Sequence, residues 1–184
     1  MPQTRRGRSG ARTPIPFRSV NRRGSRGYNP SLQRHHLLPL QVLGAKPLQP
    51  LLTDIRISRE SFDDFRRNGM LLPSCEKVAM ELGLPLHRGP HRAHNEMVLE
   101  RVGEIDIAWQ RLRMRTPLSA RCWAGSRLYA MQGLLRAALA GSRRRPDSPF
   151  ALNSRDPIIR QVDYSSMDAM ADTLWGATGD PPSG

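Results

Sequence analysis

The five histidines of this chain all lie between residues 35 and 94, in two groups. The first group is the pair His35-His36, and the second contains His87, His91 and His94. Imidazole is a common protein ligand for zinc-like metals, and it titrates near neutral pH, where it can act as a general base. A fold that brings the two groups together would supply three metal ligands and a separate base. The alternative is that ordinary polar histidines cluster by chance.

Local geometry shows how each group could serve one site. In an extended backbone, adjacent side chains lie on opposite faces, so one histidine of the pair can bind a metal while its neighbour stays available. His87 and His91 are four residues apart, and Pro90 favours the first turn of a helix, an arrangement that can aim both imidazoles at one point. Three neutral histidines leave a coordination position open, as catalytic sites require. A closed structural zinc site with four histidines is the alternative.

Positive charge is the second constraint. The net charge is +13 at pH 7, from 29 Lys+Arg against 16 Asp+Glu, and only Lys46 and Lys77 are lysines. Because guanidinium groups make paired hydrogen bonds to phosphate, an arginine excess favours a nucleic-acid partner, although a purely solubilising charge is the alternative. No apolar run approaches membrane-spanning length, and no hydrophobic stretch follows the basic N-terminus. We therefore expect no membrane partner, no classical signal peptide and a protein that is cytoplasmic as synthesised.

Composition divides the chain into three regions. Residues 1–30 are rich in arginine, glycine, serine and proline and have no acidic residue. Such a segment buries too little apolar surface to fold alone, so we expect a disordered arm that acts either as a phosphate clamp or as a solubilising tail. Residues 31–103 hold the histidines and are expected to form the functional domain. Residues 104–184 are expected to form a helical C-terminal extension.

Hydrophobic spacing predicts the helices of the second and third regions. Apolar residues at intervals of three and four, through Trp109, indicate a long helix that begins near Pro90 and is interrupted by Pro117. A second long helix is predicted over residues 118–140, and a short last one around residues 165–174. Together with short strands near the histidines, this pattern favours an α+β class that is mainly helical.

Between the two histidine groups, the sequence predicts a strand followed by a short helix. The apolar run Met70–Pro73 has the length of a short strand. Ser74 is expected to cap a helix over residues 75–82, and Gly83 is expected to close it.

Three sequence blocks carry a resemblance to a known family. They are QRHHLLP at Gln33–Pro39, NGMLLP at Asn68–Pro73 and HRGPHRAHN at His87–Asn95. In this order they resemble the AHH nuclease family of the HNH/endonuclease VII superfamily, over about residues 28–103. The resemblance implies a ββα-metal (HNH-type) element and a metal-dependent endonuclease. Two positions depart from the family pattern, since Arg34 stands in place of alanine and His94 in place of tyrosine, which leaves the ligand set ambiguous.

The resemblance also implies a role for each motif residue. His36 would be the general base that takes a proton from the attacking water, and Asn68 would brace the loop that orients it. One divalent ion, of zinc, nickel, manganese, cobalt or magnesium, would be held by His35, His87 and His91. His94 and Asn95 are additional candidates for the site, and His94 is expected to matter less than the three implied ligands.

The expected partner is nucleic acid, in the first place DNA that is cut with little sequence preference. Arg34, Arg88 and Arg92 flank the histidines and could hold phosphates, although they could equally form a solvated surface. One alternative is a non-catalytic nucleic-acid-binding module with structural zinc. Another is a toxin module, delivered to another cell and recognised by an immunity protein. His36 argues against the first alternative, because a purely structural site has no use for an unligated base beside a ligand.

Overall fold

The computed structural model describes residues 12–88 and 92–141. The predicted helix around residues 165–174 therefore lies outside the described residues. In the described ranges, two strands and seven α-helices follow one another: β1 Leu32–His36, α1 Gln41–Gly44, α2 Gln49–Asp54, α3 Arg59–Phe62, α4 Phe65–Asn68, β2 Gly69–Pro73, α5 Glu76–Leu82, α6 Arg92–Arg113 and α7 Pro117–Gly141. No helix within these ranges combines the length and the apolar character that a membrane span requires.

The two strands form an antiparallel sheet that places the histidine pair beside the start of β2. The register runs from Leu32 opposite Pro73 to His36 opposite Gly69. The connection between the strands contains four short helices, α1 to α4, which pack around the buried residues Leu37 and Leu38. Leu37 comes directly after the histidine pair and is fully buried, so its side chain anchors the end of β1 in the core.

Helices α6 and α7 pack against each other, with α6 also against α1 and α2 and α7 against α4, and their buried residues join the core. Buried residues recur along α6 at Val98, Val102, Ile105 and Trp109, which is the helical spacing predicted from the sequence. The Trp109 indole Nε1 donates a hydrogen bond of 2.8 Å to Asp54 Oδ2, and this bond ties α6 to α2. The prediction of a mainly helical α+β fold is confirmed.

Two details of the predicted helices are resolved differently. Helix α7 begins at Pro117, because proline is accepted in the first turn of a helix, where its missing N–H has no partner to lose. The N-cap of α5 is Cys75, with no side-chain capping bond, so the prediction that Ser74 caps this helix is wrong. Gly83 ends α5 at φ 62°, a left-handed conformation that glycine adopts without strain, as predicted.

Residues 12–30 are ordered, which corrects the prediction of a disordered arm for this part of the chain. Phe17 is buried, with 6% of its surface exposed. Its backbone N–H donates to Asp63 O at 3.1 Å, and Phe65 N donates to Ile15 O at 2.7 Å. The composition of the whole segment does not reveal this order, because one buried aromatic ring and a few backbone hydrogen bonds around the start of α4 are enough to hold the segment. Residues 1–11 lie outside the described residues.

Candidate active site

His35 is the centre of the histidine cluster. It lies in β1, with 4% of its surface exposed. The ring of His87 lies on one side and the ring of His94 on another, and each ring centroid is 5.1 Å from that of His35. The fold therefore joins the two sequence groups, with His94 as well as His87 beside the first strand. His91 lies outside the described residues.

Hydrogen bonding defines which nitrogen of His87 faces His35. Its Nδ1 lies 2.9 Å from Gln33 Oε1, an oxygen that can only accept, so Nδ1 carries the proton. Its Nε2 then presents a lone pair and lies 3.2 Å from His35 Nδ1. Gln33 and His35 are two residues apart in β1 and share a face of the strand, which explains why one ring contacts both. Gln33 thus orients His87, a role that the sequence analysis missed.

His94 is oriented in the same way by the backbone. It is buried in α6, and its Nε2 lies 3.2 Å from the carbonyl oxygen of Leu37. A carbonyl oxygen only accepts, so Nε2 carries the proton and the lone pair of the neutral ring is on Nδ1. Metal-binding histidines usually donate their other ring N–H to a carbonyl or carboxylate in this manner. His94 therefore has the tautomer of a ligand.

The His35–His87 pair fits a metal ion geometrically. Zn–N bonds of roughly 2.0–2.1 Å in a tetrahedral site place two ligand nitrogens about 3.3 Å apart. The His35 Nδ1 to His87 Nε2 distance of 3.2 Å matches this separation, although a hydrogen bond between the rings would also produce it. Within residues 12–88 and 92–141, no group of three His, Cys, Asp or Glu side chains is arranged to hold a metal. The described residues thus supply a compatible ligand pair with His94 at its side.

His36 has different neighbours from His35, as strand alternation predicts. Its ring stacks on Phe17 with a centroid distance of 3.7 Å and an interplanar angle of 3°. Phe17 in turn meets the edge of Phe65 at 5.0 Å, and a Cβ at position 69 would collide with the Phe65 ring, so Gly69 is required there. An aromatic stack that begins at the strand end therefore fixes the plane of the imidazole.

The environment of His36 keeps it neutral. Burial lowers its pKa, and the nearby Arg34 guanidinium lowers it further, while the attraction of Asp63 opposes both effects. The net result is a pKa below the ordinary histidine value of 6.5. A neutral imidazole at pH 7 can accept a proton, which a general base must do.

Asn68 braces the chain that follows the histidine pair. Its side chain is fully buried, with Oδ1 accepting from Leu38 N at 2.8 Å and Nδ2 donating to Leu38 O at 3.0 Å. Its backbone oxygen accepts from Leu37 N at 2.8 Å. Nδ2 also donates to Phe62 O at 3.2 Å. These contacts hold in place the backbone of the two residues directly after His36.

Helix α7 supports Asn68 from behind. Gln132 is buried, and its Nε2 donates to Asn68 Oδ1 at 3.2 Å. Arg136 adds two bonds from its Nη2, to the carbonyl oxygens of Arg66 at 2.7 Å and Arg67 at 3.0 Å. Sequence analysis missed Gln132, although a signal existed, since it lies one turn after Leu128 on the buried face of an apolar helix. A polar residue at such a position usually has a buried partner.

The hydrogen bond from Gln132 of α7 to Asn68 should contribute to the stability of the fold. We expect Gln132→Ala to lower the free energy of unfolding by roughly 1–2 kcal/mol, because it removes a buried hydrogen bond and leaves a small cavity. Urea denaturation measures this. Gln41→Ala is the matched control, since Gln41 is exposed in α1. Equal losses in the two variants would mean that the Asn68 contact contributes nothing.

The predicted phosphate-binding arginines occupy three different environments. Arg34 Nη1 donates to the Phe17 carbonyl oxygen at 2.8 Å, so this departure from alanine helps to dock the N-terminal segment. Arg88 lies 4.0 Å from Glu76 in an exposed ion pair, which partly neutralises it. Arg92 is exposed at the start of α6, and Asn95 is half-buried next to His94. Among the described residues, Arg34 and Arg92 thus form no ion pair within 4.0 Å, unlike Arg88.

Two antiparallel strands followed by a long helix, with histidines at the strand end, form the arrangement of an HNH-type nuclease. Residues 16–120 match the model of AHH, a nuclease family of the HNH/ENDO VII superfamily with a conserved AHH motif. The chain belongs to the AHH family, and this makes nucleic acid its substrate class. Arg34 replaces the alanine of the motif, while His35 and His36 retain both histidines. No curated protein and no solved structure gives a significant match to this chain.

Proposed function

We propose that this protein is a metal-dependent endonuclease that hydrolyses phosphodiester bonds, primarily of DNA and with little sequence preference. One observation carries the proposal: the His35 and His87 nitrogens lie 3.2 Å apart, while the neighbouring His36 is held separately against Phe17. A ligand pair beside a positioned base is the minimum that metal-assisted hydrolysis requires.

His35 and His87 would hold the metal, with His94 and His91 as further ligands. His94 has the tautomer that a ligand needs, because its Nε2–H is donated to Leu37 O. Imidazole ligands favour zinc, nickel, cobalt or manganese over magnesium. When bound, a divalent ion acts as a Lewis acid that stabilises the charge developing on the phosphate and on the leaving oxygen.

His36 would take the proton from the attacking water. Its lowered pKa keeps the ring neutral near pH 7, and the stack on Phe17 fixes the plane in which its lone pair lies. Asn68 contributes through the backbone by holding Leu37 and Leu38, the residues directly after the base. The expected products are a 5′-phosphate and a 3′-hydroxyl.

Sequence preference should be weak because the charge near the site suits phosphates rather than base edges. Arg34 and Arg92 lie in the same elements as His35 and His94, and guanidinium groups contact phosphates of any sequence. The net charge of +13 adds a further attraction that does not depend on sequence.

A plasmid assay tests the proposed function. Supercoiled DNA is incubated with the protein after metal removal, and then with added zinc, nickel, cobalt, manganese or magnesium, beside a chelator control and an RNA substrate. We expect nicking with at least one metal and none with chelator. Cleavage in the presence of chelator would contradict the metal requirement.

The same assay separates the alternatives. If DNA is bound but stays intact with every metal, the non-catalytic module with structural zinc is supported instead. Recognition by an immunity protein, as part of a toxin role, stays a prediction from the family resemblance.

A further inference from the structure

A basic cavity of about 500 Å³ lies beside β1, on the segment that precedes the histidine motif. Ligand sites in proteins usually span roughly 300–1,000 Å³, so the cavity can admit a ligand of nucleotide size. Its lining includes four arginines, one tyrosine and a glutamine: Arg18, Arg22, Arg23, Arg34, Tyr28 and Gln33. Among the residues that the structure describes, none of those lining the cavity is acidic.

The loop that forms this cavity is built by specific hydrogen bonds. Asn21 Nδ2 donates to the carbonyl oxygens of Asn29 at 2.8 Å and Leu32 at 2.7 Å, and Asn21 Oδ1 accepts from Asn29 N at 2.7 Å. Asn21 itself has φ 46°, a left-handed conformation in which asparagine is among the more tolerated residues. These contacts close the loop over residues 21–32 and fix the positions of the arginines and the tyrosine that it carries.

The cavity arginines that precede β1 are available to bind an anion. Across residues 12–88 and 92–141, no Asp or Glu side chain lies within 4.0 Å of Arg18, Arg22 or Arg23. Tyr28 lies in the same cavity with 38% of its surface exposed. Arginines that track a backbone, together with an exposed aromatic ring on which a base can stack, are the elements that bind single-stranded nucleic acid.

We propose that this cavity binds an unpaired nucleotide of the substrate strand, with Arg22 and Arg23 holding its phosphates and Tyr28 stacking on its base. The inference rests on the proposed function only for its link to cleavage. Gln33 supplies that link, because it lines the cavity and its Oε1 also contacts His87 Nδ1 at 2.9 Å. A strand bound in the cavity therefore passes directly beside the histidine cluster.

The test measures binding in chelator, where no cleavage occurs. The probes are a fluorescein-labelled oligothymidine, an abasic strand of equal length and a duplex of the same length. The variants are Arg22→Gln/Arg23→Gln and Tyr28→Ala. The control is Arg111→Gln/Arg115→Gln, which removes the same charge from exposed positions in the last turn of α6 and just beyond it, roughly 30 Å from the start of that helix. Thermal denaturation verifies that all variants are folded.

The two cavity variants should differ in a diagnostic way. The double arginine variant should bind both single strands at least ten-fold more weakly at low salt, and its slope of log affinity against log salt should be shallower by up to roughly 0.7 per arginine. Tyr28→Ala should weaken oligothymidine about five-fold or more, but leave the abasic strand unchanged. The far-end control should change affinity little, since it lies outside the cavity.

The outcomes distinguish this inference from the proposed function. If the double arginine variant binds like its control, or if Tyr28→Ala has the same effect on both strands, the cavity is not a nucleotide site, even when the wild type nicks DNA. If the wild type cleaves nothing with any metal but binding depends on the cavity as described, the inference stands and the nuclease proposal fails. Tighter binding of the duplex than of the single strand would overturn the unpaired-nucleotide assignment.

Discussion

Replacing His36 with alanine should lower the rate of DNA nicking by about 10²–10⁴-fold, which is the usual contribution of a positioned general base. The fold and the bound metal should be retained, because the His36 ring contacts Phe17 rather than the His35–His87 pair. The rate is measured with saturating metal at neutral pH, and the metal content is measured on the same preparation.

Phe17→Leu provides the control for His36. It keeps an apolar side chain under the imidazole but removes the parallel stack, so it should reduce the rate much less than His36→Ala. A His36→Ala protein that loses its metal, beside a His35→Ala protein that keeps it, would reverse the roles of the two histidines. An unchanged rate in His36→Ala would remove His36 from the mechanism.

Replacing His87 with alanine should abolish most metal binding and, with it, most activity. The Nε2 atom of His87 presents a lone pair 3.2 Å from His35 Nδ1. Removing the His87 ring therefore leaves His35 without the second nitrogen of the proposed ligand pair. Metal affinity is measured by equilibrium titration and metal content by elemental analysis, both of which are independent of catalysis. His36→Ala is the matched control, since it removes an adjacent imidazole that is not expected to bind metal.

His94→Ala should also lower the metal affinity, by an amount closer to that of His87→Ala than the sequence suggested. The ring centroids of His87 and His94 are equally distant from that of His35, and both rings donate their other N–H to an oxygen. Because His94 is buried, the comparison must be made at a temperature where the variant is folded. If the His94→Ala variant binds metal as tightly as the wild type, His94 is not a ligand and its role is structural.

Local patterns in the sequence were sufficient for much of the architecture. The spacing of Val98, Val102, Ile105 and Trp109 predicted α6, and Pro117 marked the break between α6 and the next helix. The alternation of a strand predicted that His35 and His36 would contact different groups. These features depend on neighbours within a few positions, where periodicity and backbone sterics act directly.

Contacts between distant segments were decided only by the tertiary structure. Averaged composition predicted a disordered arm over residues 1–30, but Phe17 packs on His36 and its backbone N–H donates to Asp63 O. Gln132 reaches Asn68 across 64 positions of the chain. Neither contact has a local signature, because each depends on which surfaces the fold brings together.

The sequence by itself determined the family, the helical class and the two groups of histidines. Only the tertiary structure decided which imidazole nitrogen faces which neighbour, and that the arginines before the motif form one cavity beside it. The physical reason is that a tautomer follows from a hydrogen bond at the remote nitrogen, such as His94 to Leu37 O. Those acceptors belong to other elements, and they become neighbours of the histidines only when the chain has folded.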